Sequence, residues 1–166
     1  MIVVNATILS NLARSNRIGL LENYGQVIIP FQVYEEILKG IAAGYDFLQS
    51  IDDIVDEDWV KLATLESGKE RTIFKSLLDT VDYGEAAGIT IAQKRDLAFL
   101  SDDRKAREVA QEQGVVISGT LGLLKVAVEE SELTITEADE VLSRMIRGGY
   151  RSPIQSIKEV LKESDE

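Results

Sequence analysis

The sequence predicts an α/β protein, a three-layer α/β/α domain whose mainly parallel sheet has four or five strands. Two observations carry the prediction. Short apolar runs recur with helical segments between them, the pattern of strands buried on both faces and joined by crossover helices. At 166 residues, 45% hydrophobic and 28% charged, the chain is long enough for one substantial core and short for two ordinary domains.

The β-branched run Ile2 to Val4 is the first strand, and Asn5 hands it into a helix over Thr7 to Ala13, where Ile8, Leu9 and Leu12 share one face. A short helix follows around Ile18 to Glu22, then a second strand, Val27 to Ile29. Pro30 closes that strand and opens a helix, because a proline nitrogen has no hydrogen to lose in a first turn. This helix is expected from Phe31 to Lys39, with Gly40 as its stop.

Residues 44 to 78 are read more coarsely: a helical stretch from Tyr45 to Ile51, an acidic solvated connector from Asp52 to Asp58, a short edge strand at Trp59 to Leu62, and helical spacing from Glu66 to Leu78. Tyr83 to Lys94 is a stronger helix with a small-residue face. Asp82 is its N-cap, and Glu85 completes a capping box. Leu97 to Leu100 is a buried strand, followed by Ser101-Asp102-Asp103 and a helix from Arg104 to Gln113. Val115 to Ile117 is the last strand. Gly119 to Gly122 leads into a helix over Leu123 to Val128, and helices at Thr136 to Ile146 and Ser152 to Lys162 close the chain. The expected organisation is a domain over residues 1–150 with a C-terminal helix over 151–166 packed on it or extending it.

Composition then narrows the chemistry. The chain has no histidine and no cysteine, which removes histidine triads, imidazole or thiolate metal ligands and disulfides together. Carboxylates, hydroxyls, lysines and arginines remain. The net charge of −11, from 29 acidic against 18 basic residues, is the reverse of the usual nucleic-acid footprint. A polyanionic partner would therefore need locally clustered cations or a bound metal. The opening MIVVNATIL lacks a basic lead-in, and no apolar run approaches the roughly 20 residues that span a bilayer. A cytoplasmic protein without a membrane partner is expected.

Ligands of open parallel sheets bind beyond the carboxyl ends of the strands. Asn5 follows the first strand, Asp102 and Asp103 follow Leu100, Glu85 opens the helix before that strand, and Glu36 lies on the helix after Pro30. Oxygen ligands from separate elements suit Mg²⁺ or Mn²⁺, and such a site favours phosphodiester hydrolysis. Each of these residues taken singly is more often a helix cap or a solvated helix residue. Ser67-Gly68-Lys69 is no phosphate-binding loop, since Ala63 stands where its first glycine is required.

The opening strand ending at Asn5, the IIPFQVYEEIL segment, the DYGEAAGITIAQ helix, the LAFLSDDRKAREVA strand-turn-helix and the GTLGLL segment, in that order and spacing, resemble the PIN-domain family. The family resembled comprises metal-dependent ribonucleases, including VapC-type toxins of toxin-antitoxin pairs. The resemblance implies an acidic quartet at Asn5, Glu36, Glu85 and Asp103, with Glu35 second to Glu36 by register, and Mg²⁺ or Mn²⁺ as cofactor. Asp102 and Ser101 are implied as supporting groups that orient a carboxylate or water. Asn5 departs from the family's aspartate and brings no negative charge.

An RNA substrate, a small antitoxin and a homodimer are the implied partners. Arg104, Lys105 and Arg107 are the candidate RNA contacts, because they begin just beyond the proposed metal site; Lys69, Arg71 and Lys75 are a less well placed group. The leading expectation is a PIN-type endoribonuclease, its activity weakened by Asn5. The alternative is a catalytically degenerate RNA-binding or protein-interaction module, and a small-molecule phosphohydrolase ranks third.

Overall fold

A computed structural model describes residues 1–162. Five strands form one all-parallel sheet in the order β3-β2-β1-β4-β5, with β1 at Ile2–Val4, β2 at Val27–Pro30, β3 at Val60–Ala63, β4 at Ala98–Leu100 and β5 at Ile117–Ser118. The helices are α1 Ala6–Arg14, α2 Phe31–Ala42, α3 Gln49–Asp53, α4 Gly68–Leu77, α5 Tyr83–Arg95, α6 Arg104–Glu112, α7 Thr120–Glu129, α8 Ile135–Arg147 and α9 Lys158–Lys162. Two 3₁₀ segments, Ile18–Tyr24 and Asp46–Leu48, fill the connections after α1 and α2.

Strand alternation divides the core in two. Ile2, Val4, Val27 and Ile29 point into a cluster with α1, α2, α7 and α8, built on residues such as Leu9, Val33, Leu124 and Leu142. Val3, Ile28 and Phe99 point the other way, against Phe74, Ala87, Ile91 and Val109 of α4, α5 and α6. The sheet is thus covered on both faces, the expected three-layer α/β/α arrangement. The small-residue face of α5 lets it lie close: a β-carbon at Gly88 would stand 2.5 Å from Cε2 of the fully buried Phe99.

Chain order reverses between β1 and β4. The chain leaves β1 towards β2 and β3 on one side, then returns to place β4 and β5 on the other. A crevice opens at such a switch point beyond the strand carboxyl ends. Asn5 stands there directly after β1, its backbone N–H donating to the Leu100 carbonyl at the end of β4 (3.1 Å).

Several boundaries differ from the sequence expectation for identifiable reasons. Gly40 does not stop α2: its bare α-carbon faces the Leu48 side chain, and the helix runs on to Ala42 before Gly44, at φ +95°, turns the chain. The acidic stretch is not wholly solvated connector, because Asp52 and Asp53 belong to α3 and Asp52 accepts a hydrogen bond from the Tyr34 hydroxyl. The last strand lies further along than Val115 to Ile117, with ladder bonding from the Val116 carbonyl to Phe99 N–H (2.9 Å) and onward to Ser118.

Helix α7 begins at Thr120 rather than Leu123. The helix expected from Ser152 is confined to Lys158–Lys162, because the Ser152 hydroxyl bonds both backbone groups of Ile154 and holds a turn there. Residues 163–166 of the expected C-terminal segment lie outside the described residues. Ile157, just ahead of α9, is fully buried in the first cluster, with Asp139 of α8 accepting from its N–H (2.7 Å).

Candidate metal centre

Asn5 is 2% exposed and caps α1. Its Oδ1 accepts from the Thr7 hydroxyl (2.7 Å) and from Ile8 N–H (3.3 Å), while Nδ2 donates to Ser101 Oγ (2.7 Å). The Ile8 N–H is an unambiguous donor, so it fixes which way the amide faces. Ser101 is fully buried, and its Oγ also accepts from Asp103 N–H (3.2 Å). With two donors aimed at it, the hydroxyl keeps its own proton to donate elsewhere. Two strand ends and the starts of α1 and α6 are thereby locked together.

Around this lock stand the carboxylates. Glu36 on α2, together with Asp82, Gly84 and Glu85 at the start of α5, lines a small cavity of about 50 Å³ whose other walls include Asn5, Thr7 and Val33. Glu85 is nearly buried, and its Oε2 accepts from Asp82 N–H (3.2 Å) while Asp82 Oδ1 accepts from Glu85 N–H (2.9 Å), the capping box read from the sequence. Gly84 allows α2 this close, since a β-carbon there would stand 2.7 Å from Glu36 Oε1.

Burial, then the charges of Asp82, Asp103 and Glu36, push the Glu85 carboxyl up to about 7. Burial and Asp82 likewise raise Glu36, against a lowering contribution from the Gly84 N–H. Asp103 caps α6 through Oδ1, which accepts from Ala106 N–H (2.8 Å), leaving Oδ2 without a hydrogen bond among the described residues.

Glu36 and Glu85 thus share one cavity wall, while Asp103 lies outside that lining but near enough for its charge to act on Glu85. Among the described residues, no three carboxylates stand close enough together to hold a metal ion as they are. Asp82, set aside in the sequence as a cap, forms part of the cavity wall. Its register three residues before Glu85 was the signal.

Asp102 has a different task. Its Oδ1 accepts from Thr120 N–H (2.8 Å), and its Oδ2 accepts from the Thr120 hydroxyl (2.6 Å) and Asn11 Nδ2 (3.1 Å). Gly119, the residue before α7, has no side chain to cap it, so Asp102 caps that helix from the end of the neighbouring strand β4. Arg107 also turns inward, donating to the Ser101 carbonyl (3.1 Å). Arg104 and Lys105 face solvent, with Arg104 paired to Glu108 (3.0 Å).

Neither a curated protein nor a solved structure matches the chain. The model of one family, described as a PIN domain, matches it over residues 1–166. The all-parallel sheet flanked by helices agrees with that match, and the chain belongs to the PIN-domain family.

Proposed function

We propose that this protein is a metal-dependent endoribonuclease of PIN type, a VapC-like toxin component whose activity is weakened by Asn5. A nuclease-type function follows from the family. The observation that carries the finer reading is the electrostatic crowding of Glu85 by Glu36, Asp82 and Asp103 around a cavity that Asn5 also lines. Like charges gathered at this cost in a nearly buried place are a hallmark of functional sites.

Glu36, Glu85 and Asp103 would hold Mg²⁺ or Mn²⁺. When bound, the cation supplies positive charge to phosphate oxygens and acidifies water. The chain's own residues set the frame. Ser101 holds Asp103 in place through its N–H and offers its hydroxyl proton, and Asp102 and Arg107 brace the β4 end on which both sit. Arg104 and Lys105 are the cations placed to meet an RNA strand leaving the Asp103 side.

The family reading brings a small antitoxin, a homodimer and a cytoplasmic setting as further proposals; among the described residues no helix is long and apolar enough to cross a membrane.

A second reading has its own support. The Asn5 oxygen is spent on capping α1, and position 5 presents an N–H towards Ser101. This favours a degenerate PIN fold that binds RNA or protein without turnover. Incubation with single-stranded RNA in Mn²⁺ and in EDTA separates the two: metal-dependent cleavage supports the ribonuclease, and binding without cleavage supports the degenerate module.

A further inference from the structure

A second cavity, of about 440 Å³, opens beside the acidic one. One wall is a stripe of α1, Thr7, Ser10, Asn11 and Arg14; the other is the segment 148–151 that follows α8. We propose that this groove seats a phosphate of single-stranded RNA next to the bond to be cut, gripped by Arg14 and Arg151. The inference rests on the ribonuclease reading of the acidic cavity and adds the path by which substrate reaches it.

Continuity is the first argument. Ala6 and Thr7 line both cavities, and Asp103 lines the groove while acting on Glu85 in the acidic patch. A strand lying in the groove therefore reaches the carboxylates without crossing open surface. The volume falls within the roughly 300–1,000 Å³ range of small-ligand sites.

Charge is the second. A chain of net charge −11 repels a polyanion, so cations at the approach decide where one can dock. Arg14 and Arg151 carry no ion pair among the described residues. Arg14 is also held: its guanidinium lies 4.3 Å over the Phe47 ring centroid, and a β-carbon on Gly148 would stand 2.7 Å from its Cδ. A guanidinium stacked on one face keeps its edge N–H groups for a phosphate. The Asp102 carboxylate at the groove floor is tied up by Thr120 and Asn11, which blunts its repulsion.

The test is fluorescence anisotropy with a labelled single-stranded RNA in EDTA, comparing the unaltered chain, Arg14→Gln with Arg151→Gln, and a control with the same charge change, Lys61→Gln with Lys94→Gln, two exposed lysines that line neither cavity. The groove variant should bind about 10-fold or more weakly, with a salt slope shallower by about 0.7 for the one lost phosphate contact. The control should change by less than about 2-fold. Equal losses in both variants, or no binding by the unaltered chain, overturn the proposal, and circular dichroism confirms that each variant is folded. Cleavage in Mn²⁺ separates the two readings. Undiminished cleavage by the groove variant removes the groove and leaves the ribonuclease, whereas selective loss of binding without cleavage by any form keeps the groove and removes the ribonuclease.

Discussion

The side-chain amide of Asn5 donates to the hydroxyl of Ser101 across 2.7 Å, and this bond sets the character of the site. It requires the Asn5 oxygen to face α1, where Thr7 and Ile8 use it. Asn5→Asp would keep the cap, since aspartate caps as well as asparagine. It would also convert the donor to an acceptor, turn the Ser101 hydroxyl round to donate, and add a fifth carboxylate charge beside Glu36, Asp82, Glu85 and Asp103. Mn²⁺-dependent RNA cleavage should rise by at least about 10-fold, roughly 1.4 kcal/mol of barrier. If both forms are inert while calorimetry shows Mn²⁺ bound, the ribonuclease reading fails.

Glu36 can be displaced without removing any carboxylate. In Gly84→Ala the new methyl would stand 2.7 Å from Glu36 Oε1, the free end of a flexible side chain, and 3.2 Å from Val33 Cγ2, so the Glu36 carboxylate must swing aside while Val33 gives by a few tenths of an ångström. Thermal melting should change by no more than about 1 kcal/mol, since alanine is the better helix former, and the stabilisation gained from added Mn²⁺ should shrink. An unchanged Mn²⁺ response would mean that Glu36 is not a ligand.

Asp102 should prove structural. Asp102→Ala strips the start of α7 of its capping carboxylate and leaves the buried Thr120 and half-buried Asn11 groups short of an acceptor. The expected loss is about 2 kcal/mol, with the Mn²⁺-induced shift in melting temperature retained. Loss of that shift with little change in stability would place Asp102 among the ligands.

The sheet was legible because its strands are continuous apolar runs, and β1, β2 and β4 declare themselves within a residue or so. The capping box of Asp82 and Glu85 was legible for the same local reason: it is written within four positions. What the sequence hides is long-range. Nothing near Gly119 shows that its helix is capped by Asp102, 17 positions earlier, which is why α7 starts before the apolar run at Leu123. Gly40 reads as a stop only until Leu48 is seen packed on it. Asp102 and Arg107 look like exposed polar residues of a turn and helix, and only the Thr120 and Ser101 contacts show them braced inward.

Charge crowding at Glu85 makes stability depend on pH with a definite sign. Its folded pKa is raised to about 7 from an ordinary 4.5, so the folded state binds the proton more tightly than the unfolded chain. The resulting stabilisation is complete below about pH 4.5 and disappears as pH rises through about 7. Glu36 shifts in the same direction. Glu70 shifts the other way: burial raises it, but Arg95 at 3.1 Å and the N–H groups of Glu66 and Ser67 outweigh that and hold it low. Its stabilisation is lost only as pH falls through that lowered value.

Without metal, the melting temperature should therefore decline between about pH 4.5 and pH 7 and level off above that. Glu85→Gln should flatten the decline and gain up to about 3 kcal/mol at the alkaline end. Mn²⁺ added at pH 8 should restore the unaltered chain far more than the variant, because the cation relieves the repulsion that the glutamine has already removed. A flat pH profile for the metal-free chain would show that the carboxylates are not crowded in solution, and the case for a shared cation would fall with it.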